Sequence, residues 1–204
     1  AFSSQIGASK IALELGYEEL KKNYYNFGFT KPISINFPSS AFGYMNIKDS
    51  VNNKELASLG YGYGITISPF QIASAYSVFA NEGILKDFKL LKNQEVTSKQ
   101  IISSDTANHI LDALRMVVKD GTGKAANING FSEGGKTGTV HQIKRGSGYA
   151  EDSYRAAFIG IAPLNTKSLT IFVSIDEPGL NSYSGGTVAA PVFAKIAESS
   201  LNYL

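Results

Sequence analysis

Cysteine is absent from the 204 residues, which excludes disulfides, thiolate catalysis and zinc–thiolate sites together. No stretch approaches the roughly 20 apolar residues that a membrane-spanning helix requires, and Ala1 opens neither on a charged-then-apolar leader nor on an initiator methionine. The chain is therefore expected to be part of a longer protein. Charge of one sign is not in excess either. The 19 basic and 17 acidic residues leave a net charge of +2, with no run of basic residues beyond the pairs Lys21-Lys22 and Lys144-Arg145, which argues against a nucleic-acid partner. The two histidines, His109 and His141, have no metal-ligand spacing with each other or with nearby carboxylates, so neither a metal nor a cofactor is expected. His109 reads as a surface or satisfied position on a helix, and His141 lies just past a strand motif.

At 204 residues and 43% hydrophobic, the chain can bury a sizeable core as one domain or most of one. Ile6, Ala8, Ile11, Ala12 and Leu15 recur at helical spacing behind Ser3 or Ser4 as a cap, and Gly16 stops the run. A second amphipathic helix is expected over 17–27, followed by a long connection from Gly28 to Asn53. Ser68-Pro69-Phe70-Gln71 combines a capping serine, a first-turn proline and a capping-box glutamine, which predicts a helix from 69 to about 82 closed by Gly83. Ile110, Leu111, Leu114, Val117 and Val118 mark one side of a helix over 104–119, with Gly121 beyond its end. Arg155 to Pro163 is nearly all apolar, and Leu169, Ile171, Val173 and Ile175 alternate with Thr170, Phe172 and Ser174. These segments predict an antiparallel hairpin turning at 164–167. A last helix starts near Val188 with Pro191 in its first turn. The element order argues for an α/β protein with an antiparallel sheet.

Gly130 to Thr137 satisfies the phosphate-binding pattern G-x-x-x-x-G-K-[ST], and Asp176 ends an apolar strand as a magnesium-holding aspartate would. Context opposes that reading. A phosphate loop joins a buried strand to a helix. Here Lys124 to Asn129 is too polar for a central strand, Glu133 would face the phosphates, and Thr139, Val140, Gly146 and Gly148 are poor helix formers. The segment after Lys136 is read as strand and loop.

Lys136-Thr137-Gly138-Thr139 also resembles the K-T-G motif of penicillin-binding proteins and serine β-lactamases. On an edge strand, the lysine and a threonine are expected to point to one face, and the glycine lets a substrate backbone approach. Ser3-Ser4-Gln5 looks like the family's S-x-N motif heading its helix. Gly62 to Ala73 is similar to a G-x-G-x-x-x-T-P-x-Q-x-A segment of class B enzymes, and Ala80-Asn81-Glu82-Gly83 closes that helix as theirs does. Asp120 to Ala126 looks like the loop before the K-T-G strand, and Tyr183-Ser184-Gly185-Gly186 with Ala190-Pro191-Val192-Phe193 resembles the closing segment of the septal, FtsI-like branch.

The resemblance covers nearly the whole chain and implies a β-lactamase/transpeptidase-like α/β fold: an antiparallel sheet with helices packed on both faces, incomplete here, with residues 1–204 forming the C-terminal part of one transpeptidase domain. It implies a septal peptidoglycan D,D-transpeptidase that forms a serine acyl-enzyme on D-alanyl-D-alanine stem peptides and is trapped by β-lactam antibiotics. Membrane-anchored division proteins are implied as partners, with the catalytic domain on the outer side of the cytoplasmic membrane behind an N-terminal helical anchor. A D,D-carboxypeptidase or β-lactamase of the same fold, or a non-catalytic penicillin-binding-like domain, are the alternatives.

By resemblance, Lys136 holds positive potential beside Ser3 and the substrate carboxylate, and Ser3 relays a proton to the leaving amine. Thr137 and Thr139 give hydroxyl contacts, Gly138 admits the substrate backbone, and the Thr139 N–H is one oxyanion donor. Ser3 also reads as a plain helix cap. Gln5 departs from the family asparagine, carrying the same amide one methylene further. The nucleophile and its lysine form S-x-x-K in the family, and no serine of this chain has a lysine three positions later. The chain alone is therefore expected to form no covalent adduct with a fluorescent penicillin on a denaturing gel. A labelled serine within residues 1–204 would show that the nucleophile has been misplaced.

Overall fold

The computed structural model describes residues 2–33, 43–45, 48–144, 148–179, 182–201 and 203. They divide into two compact units, Ser3–Ser103 and Ser104–Leu204 together with Phe2.

The first unit is mostly helical. Ser4 caps α1 (Gln5–Leu15) by accepting from the Gly7 N–H, and Gly16 ends it at a φ of 80°. Helix α2 (Tyr17–Asn26) follows directly. The apolar stripe of α1 does not become its buried face. Ile6 and Ile11 are 72% and 66% exposed while Ala12 is buried, because α1 meets α3 (Asn53–Gly60) through its small residues. A Cβ on Gly60 would lie 2.6 Å from the Ala12 Cβ and 2.8 Å from the Ala8 carbonyl oxygen, and Ser9 donates to the Ala57 carbonyl at 3.2 Å.

Of the connection expected from Gly28 to Asn53, 34–42 and 46–47 fall outside the described residues. The rest includes strand β1 (Tyr44–Met45), paired antiparallel with β2 (Ile65–Thr66). Helix α4 (Pro69–Ala80) has the expected capping box, with proline in its first turn. Gly83 closes it at a φ of 86°, its N–H donating to the Val78 carbonyl at 2.8 Å. The capping-box glutamine does more than cap. Gln71 is buried; its side-chain oxygen accepts from the N–H groups of Ser68 and Gly43 at 2.9 and 2.7 Å. Its amide nitrogen donates to the carbonyls of Lys31, Phe29 and Gly28 at 2.9, 3.3 and 3.2 Å. One amide thus ties two other chain segments, 28–31 and Gly43, to α4. Strands β3 (Ile84–Lys86) and β4 (Ser98–Gln100) form a second antiparallel pair.

The second unit is built on a three-stranded antiparallel sheet, β5 (Gly134–Lys144), β6 (Gly148–Ala162) and β7 (Leu169–Asp176), in that order. The hairpin of β6 and β7 turns where expected, but β6 begins earlier than the apolar run at Arg155. Its opening stretch is strand because β5 pairs with it, and its composition alone carried no alternating signal.

Helix α5 (Ser104–Lys119) buries Ala107, Leu114, Val117 and Val118. Ile110, expected on the covered side, is instead exposed. Helix α6 (Ala190–Leu201) is preceded by a π-helical turn over Gly185–Ala189, so it starts two residues after the expected Val188.

Register assigns the two faces of the sheet. Phe158, Ala162 and Val173 share a face with Ile171 and Ile175 and form one core with Val118, Phe193, Ala197 and Leu201. The Phe158 and Phe193 rings lie 5.0 Å apart. Gly135 and Gly160, paired across the strands, make room for them: a Cβ on Gly135 would lie 2.4 Å from Phe158, and one on Gly160 would lie 2.5 Å from Phe193. On the opposite face, Gly134 lies beside Ile161 in register and against Leu114 of α5. Helices therefore meet both faces, α6 on one and α5 on the other at the start of β5. Replacing Phe193 by alanine should cost about 3–5 kcal/mol by urea denaturation, whereas Val192→Ala at its exposed neighbour should stay within about 0.5 kcal/mol. Equal effects would place Phe193 outside the core.

Candidate active site

Strand β5 is an edge of its sheet among the described residues, and it carries Lys136, Thr137, Gly138 and Thr139 consecutively. Pairing with β6 settles which way each points. Lys136 and Gly138 face with Ile159 and Ala157, while Thr137 and Thr139 face with Phe158 and Ala156. The expectation that the lysine and a threonine share a face is corrected. Side chains alternate along a strand, and Lys136 lies one and three residues from the two threonines, an odd count in both cases. The ammonium and the hydroxyls are thus presented on opposite sides of one open backbone edge.

Each of these side chains has a defined setting. The Lys136 Nζ donates to the Thr137 carbonyl oxygen at 2.8 Å, and burial lowers its pKa from the ordinary 10.5. Thr137 Oγ1 lies 2.9 Å from Thr122 Oγ1, in the loop after α5. Thr139 Oγ1 accepts from the Gly185 N–H at 3.1 Å. Gly185 opens the π-helical turn capped by Ser184, which accepts from the Thr187 N–H. Only glycine fits there, since a Cβ would lie 2.1 Å from the Ala157 carbonyl oxygen and 2.5 Å from that of Gly138. Along the threonine face, His141 lies 4.3 Å from the Tyr154 ring, which stacks on Tyr183 at 4.2 Å. His141 is exposed on this face of β5, and His109 is exposed on α5.

Ser3 and Gln5 belong to the other unit, at the head of α1. Ser4, not Ser3, makes the cap, so the plain-cap reading of Ser3 does not hold. Ser3 has a φ of 53°, a left-handed conformation that a non-glycine residue adopts at a cost of order 1–3 kcal/mol and that clusters at functional sites. Gln5 is exposed as the first residue of α1.

Sequence reasoning did not assign roles to Thr122, Gly185, Arg115 or Glu133. The paired glycines at 185–186 and the Gly-Thr-Gly at 121–123 were the available signals for the first two. Arg115 Nη1 donates to both the carbonyl oxygen and the carboxylate Oε1 of Glu133, the former at 3.1 Å. That ion pair holds the residue immediately before β5 against α5.

The phosphate-loop reading fails on the same geometry, because Lys136 continues a strand rather than starting a helix. Asp176 is engaged by Arg155, whose Nη2 donates to Oδ2 at 3.0 Å. Among the described residues, no group of three or more His, Asp or Glu side chains could hold a metal ion, and no helix is long and apolar enough to cross a membrane.

The family model for the penicillin binding protein transpeptidase domain matches residues 1–198. This chain belongs to that family. It is 37% identical over 204 residues to a probable peptidoglycan D,D-transpeptidase PbpC of Pseudomonas aeruginosa, covering 99% of this chain and 36% of that protein. It is 32% identical over 196 residues to the peptidoglycan D,D-transpeptidase FtsI of Buchnera aphidicola subsp. Schizaphis graminum, covering 95% and 34%. The apo transpeptidase domain of Burkholderia pseudomallei penicillin-binding protein 3 superposes with a TM-score of 0.87 at 34% identity, covering 98% of this chain and 62% of that one. This transpeptidase-family chain spans about a third of the length of the curated relatives it matches.

Glu133 gives the site unit a pH signature. It has no exposed surface, and Oε2 has no hydrogen-bond partner among the described residues. Burial raises its carboxyl above the ordinary 4.5 against the opposing pull of the Arg115 guanidinium. A raised folded value means that the folded chain holds the proton more tightly than the unfolded one. Stability then falls as pH rises from 4.5 through the folded value and returns on acidification. Urea denaturation across that window should show this slope, and Glu133→Gln should flatten it. A slope that persists in the glutamine variant belongs to another group.

Proposed function

We propose that this chain is the C-terminal, substrate-anchoring part of a peptidoglycan D,D-transpeptidase domain. One observation carries the reading: Lys136-Thr137-Gly138-Thr139 lies on an open strand edge, with hydroxyl donors on one face and a half-buried ammonium on the other. An edge strand of this kind can accept an extended peptide as a further strand. The threonine hydroxyls supply neutral donors to the terminal carboxylate of a D-alanyl-D-alanine stem peptide, and Lys136 adds positive potential.

The reaction proceeds through an ester. The serine of an S-x-x-K segment, supplied from outside this chain, attacks the penultimate D-alanyl carbonyl. The developing oxyanion is held by the Thr139 N–H and the serine's own N–H. Collapse breaks the peptide bond, and D-alanine leaves with a proton relayed through Ser3. An amine of a neighbouring stem peptide then displaces the serine and forms the cross-link. A β-lactam follows the first step and stops at the ester. Burial lowers the pKa of Lys136, so its proton is less tightly held than that of a solvated lysine. Gln5 contributes its amide to the substrate in place of the family asparagine.

The septal role is the finer part of the proposal. It is supported by the likeness to the Buchnera FtsI and by the Tyr183-Ser184-Gly185-Gly186 segment seated against β5. That role brings an extracytoplasmic location, a membrane anchor N-terminal to this chain, and division proteins as partners.

In the protein at the length of its relatives, Lys136→Ala should abolish acylation by penicillin while the melting temperature stays near the parental value. A charge-assisted contact in a cleft is worth about 1.5–3 kcal/mol, and a half-exposed lysine adds little to stability. Arginine should rescue poorly, because its planar fork does not reproduce a compact ammonium. Parental acylation in the alanine variant would reduce Lys136 to a solvated strand residue and sink the site.

A further inference from the structure

A hydroxyl has one proton to give, so a threonine that donates to an anion must act as an acceptor toward its own protein. Thr139 meets this condition without ambiguity. Its Oγ1 is bound by the Gly185 backbone N–H at 3.1 Å, and a backbone N–H cannot accept, so the Thr139 proton remains for a ligand. Thr137 is held by another hydroxyl, Thr122 Oγ1 at 2.9 Å, and here either oxygen could be the donor.

We propose that Thr122 is a positioning residue of this site, donating its proton to Thr137 so that the Thr137 proton turns beside that of Thr139 toward a ligand carboxylate. The proposal rests on the reading of β5 as a carboxylate-binding strand and adds the group that orients it. An arriving carboxylate selects this sense of the Thr122–Thr137 bond. A hydrogen bond to an ionised acceptor is about twice as strong as a neutral one, so both strand hydroxyls spend their protons on the anion.

The loop is built to keep Thr122 in place. On one side, the Gly123 N–H donates to the Val117 carbonyl at 3.0 Å and anchors the loop to the end of α5. On the other, Gly186 comes so close that a Cβ there would lie 2.2 Å from the Thr122 carbonyl oxygen. The two glycines of the closing segment therefore share the task. Gly185 orients Thr139 directly, and Gly186 seats the residue that orients Thr137.

The test uses the protein at the length of its relatives and compares acylation rates by benzylpenicillin and by its carboxyl methyl ester, which keeps the lactam and removes the anion. Thr122→Val should slow benzylpenicillin about 5-fold, the effect of losing one neutral hydrogen bond, and change the ester rate less than about 2-fold. Thr122→Ser should restore the benzylpenicillin rate, and Thr122→Val should add nothing on a Thr137→Val background. Equal slowing of both substrates, or independent effects of the two valines, would overturn the proposal and leave Thr122 as a loop support. If Thr137→Val alone leaves benzylpenicillin at the parental rate, the carboxylate reading of β5 fails, and the role of Thr122 fails with it. The single Thr137 variant tells these two failures apart.

Discussion

The pairing of β5 with β6 from Gly134 to His141 is the constraint on which the site depends. Side chains alternate strictly along a strand, so a slip of one residue would move the threonines to the lysine's face and the lysine to theirs. The register is held where the two strands are most crowded. Gly135 and Gly160 face each other beneath Phe158 and Phe193, and a slip that set Lys136 opposite Gly160 would bring a Cβ into that ring contact. The aromatic core on one side of the sheet therefore sets the direction of the hydroxyls a few residues along the same strand.

The two ionisable groups nearest the motif illustrate how burial works in opposite directions. For Lys136, removal from water favours the neutral amine; for Glu133, it favours the neutral acid. In both cases the charged form is the one that suffers from desolvation. Arg115 relieves part of the cost at Glu133 and in doing so holds the start of β5 to α5. A buried ion pair of this kind is weak support for stability, but losing one partner strands the other charge. Its value here is positional, since it fixes the chain three residues before the lysine.

The segment following β7 has a comparable role from the other direction. Its Gly185 approaches the backbone of β5 and β6, and its Gly186 the Thr122 carbonyl, more closely than any side chain would allow, and the first approach delivers one N–H to Thr139. Stacking of Tyr183 on Tyr154 continues the contact toward His141. The strand carrying the Lys136–Thr139 motif is thus paired by β6, gripped at its start by α5, and met on its threonine face by residues some fifty positions later.

The local elements were legible because their determinants are local. The cap at Ser68, the proline behind it and the stop at Gly83 predicted α4 from a few adjacent residues, and the alternation over 169–176 predicted β7. The motif from Lys136 to Thr139 was equally readable, including that it continues as strand rather than helix. What the residues alone did not decide is every property that depends on a partner distant in the chain. The helical spacing of Ile6, Ala8, Ile11, Ala12 and Leu15 predicted α1, but which of them is covered was decided by α3: the small residues Ala8 and Ala12 let Gly60 approach while Ile6 and Ile11 stay exposed. The capping role of Gln71 was visible, whereas its bonds to Gly28, Phe29, Lys31 and Gly43 required the fold to bring those backbones together. The face occupied by Lys136 follows from alternation, yet what lies on each face came only with the β5–β6 register. The bonds from Thr122 and Gly185 to the motif threonines were likewise decided by tertiary structure, because a hydrogen bond depends on position in space and not on separation along the chain.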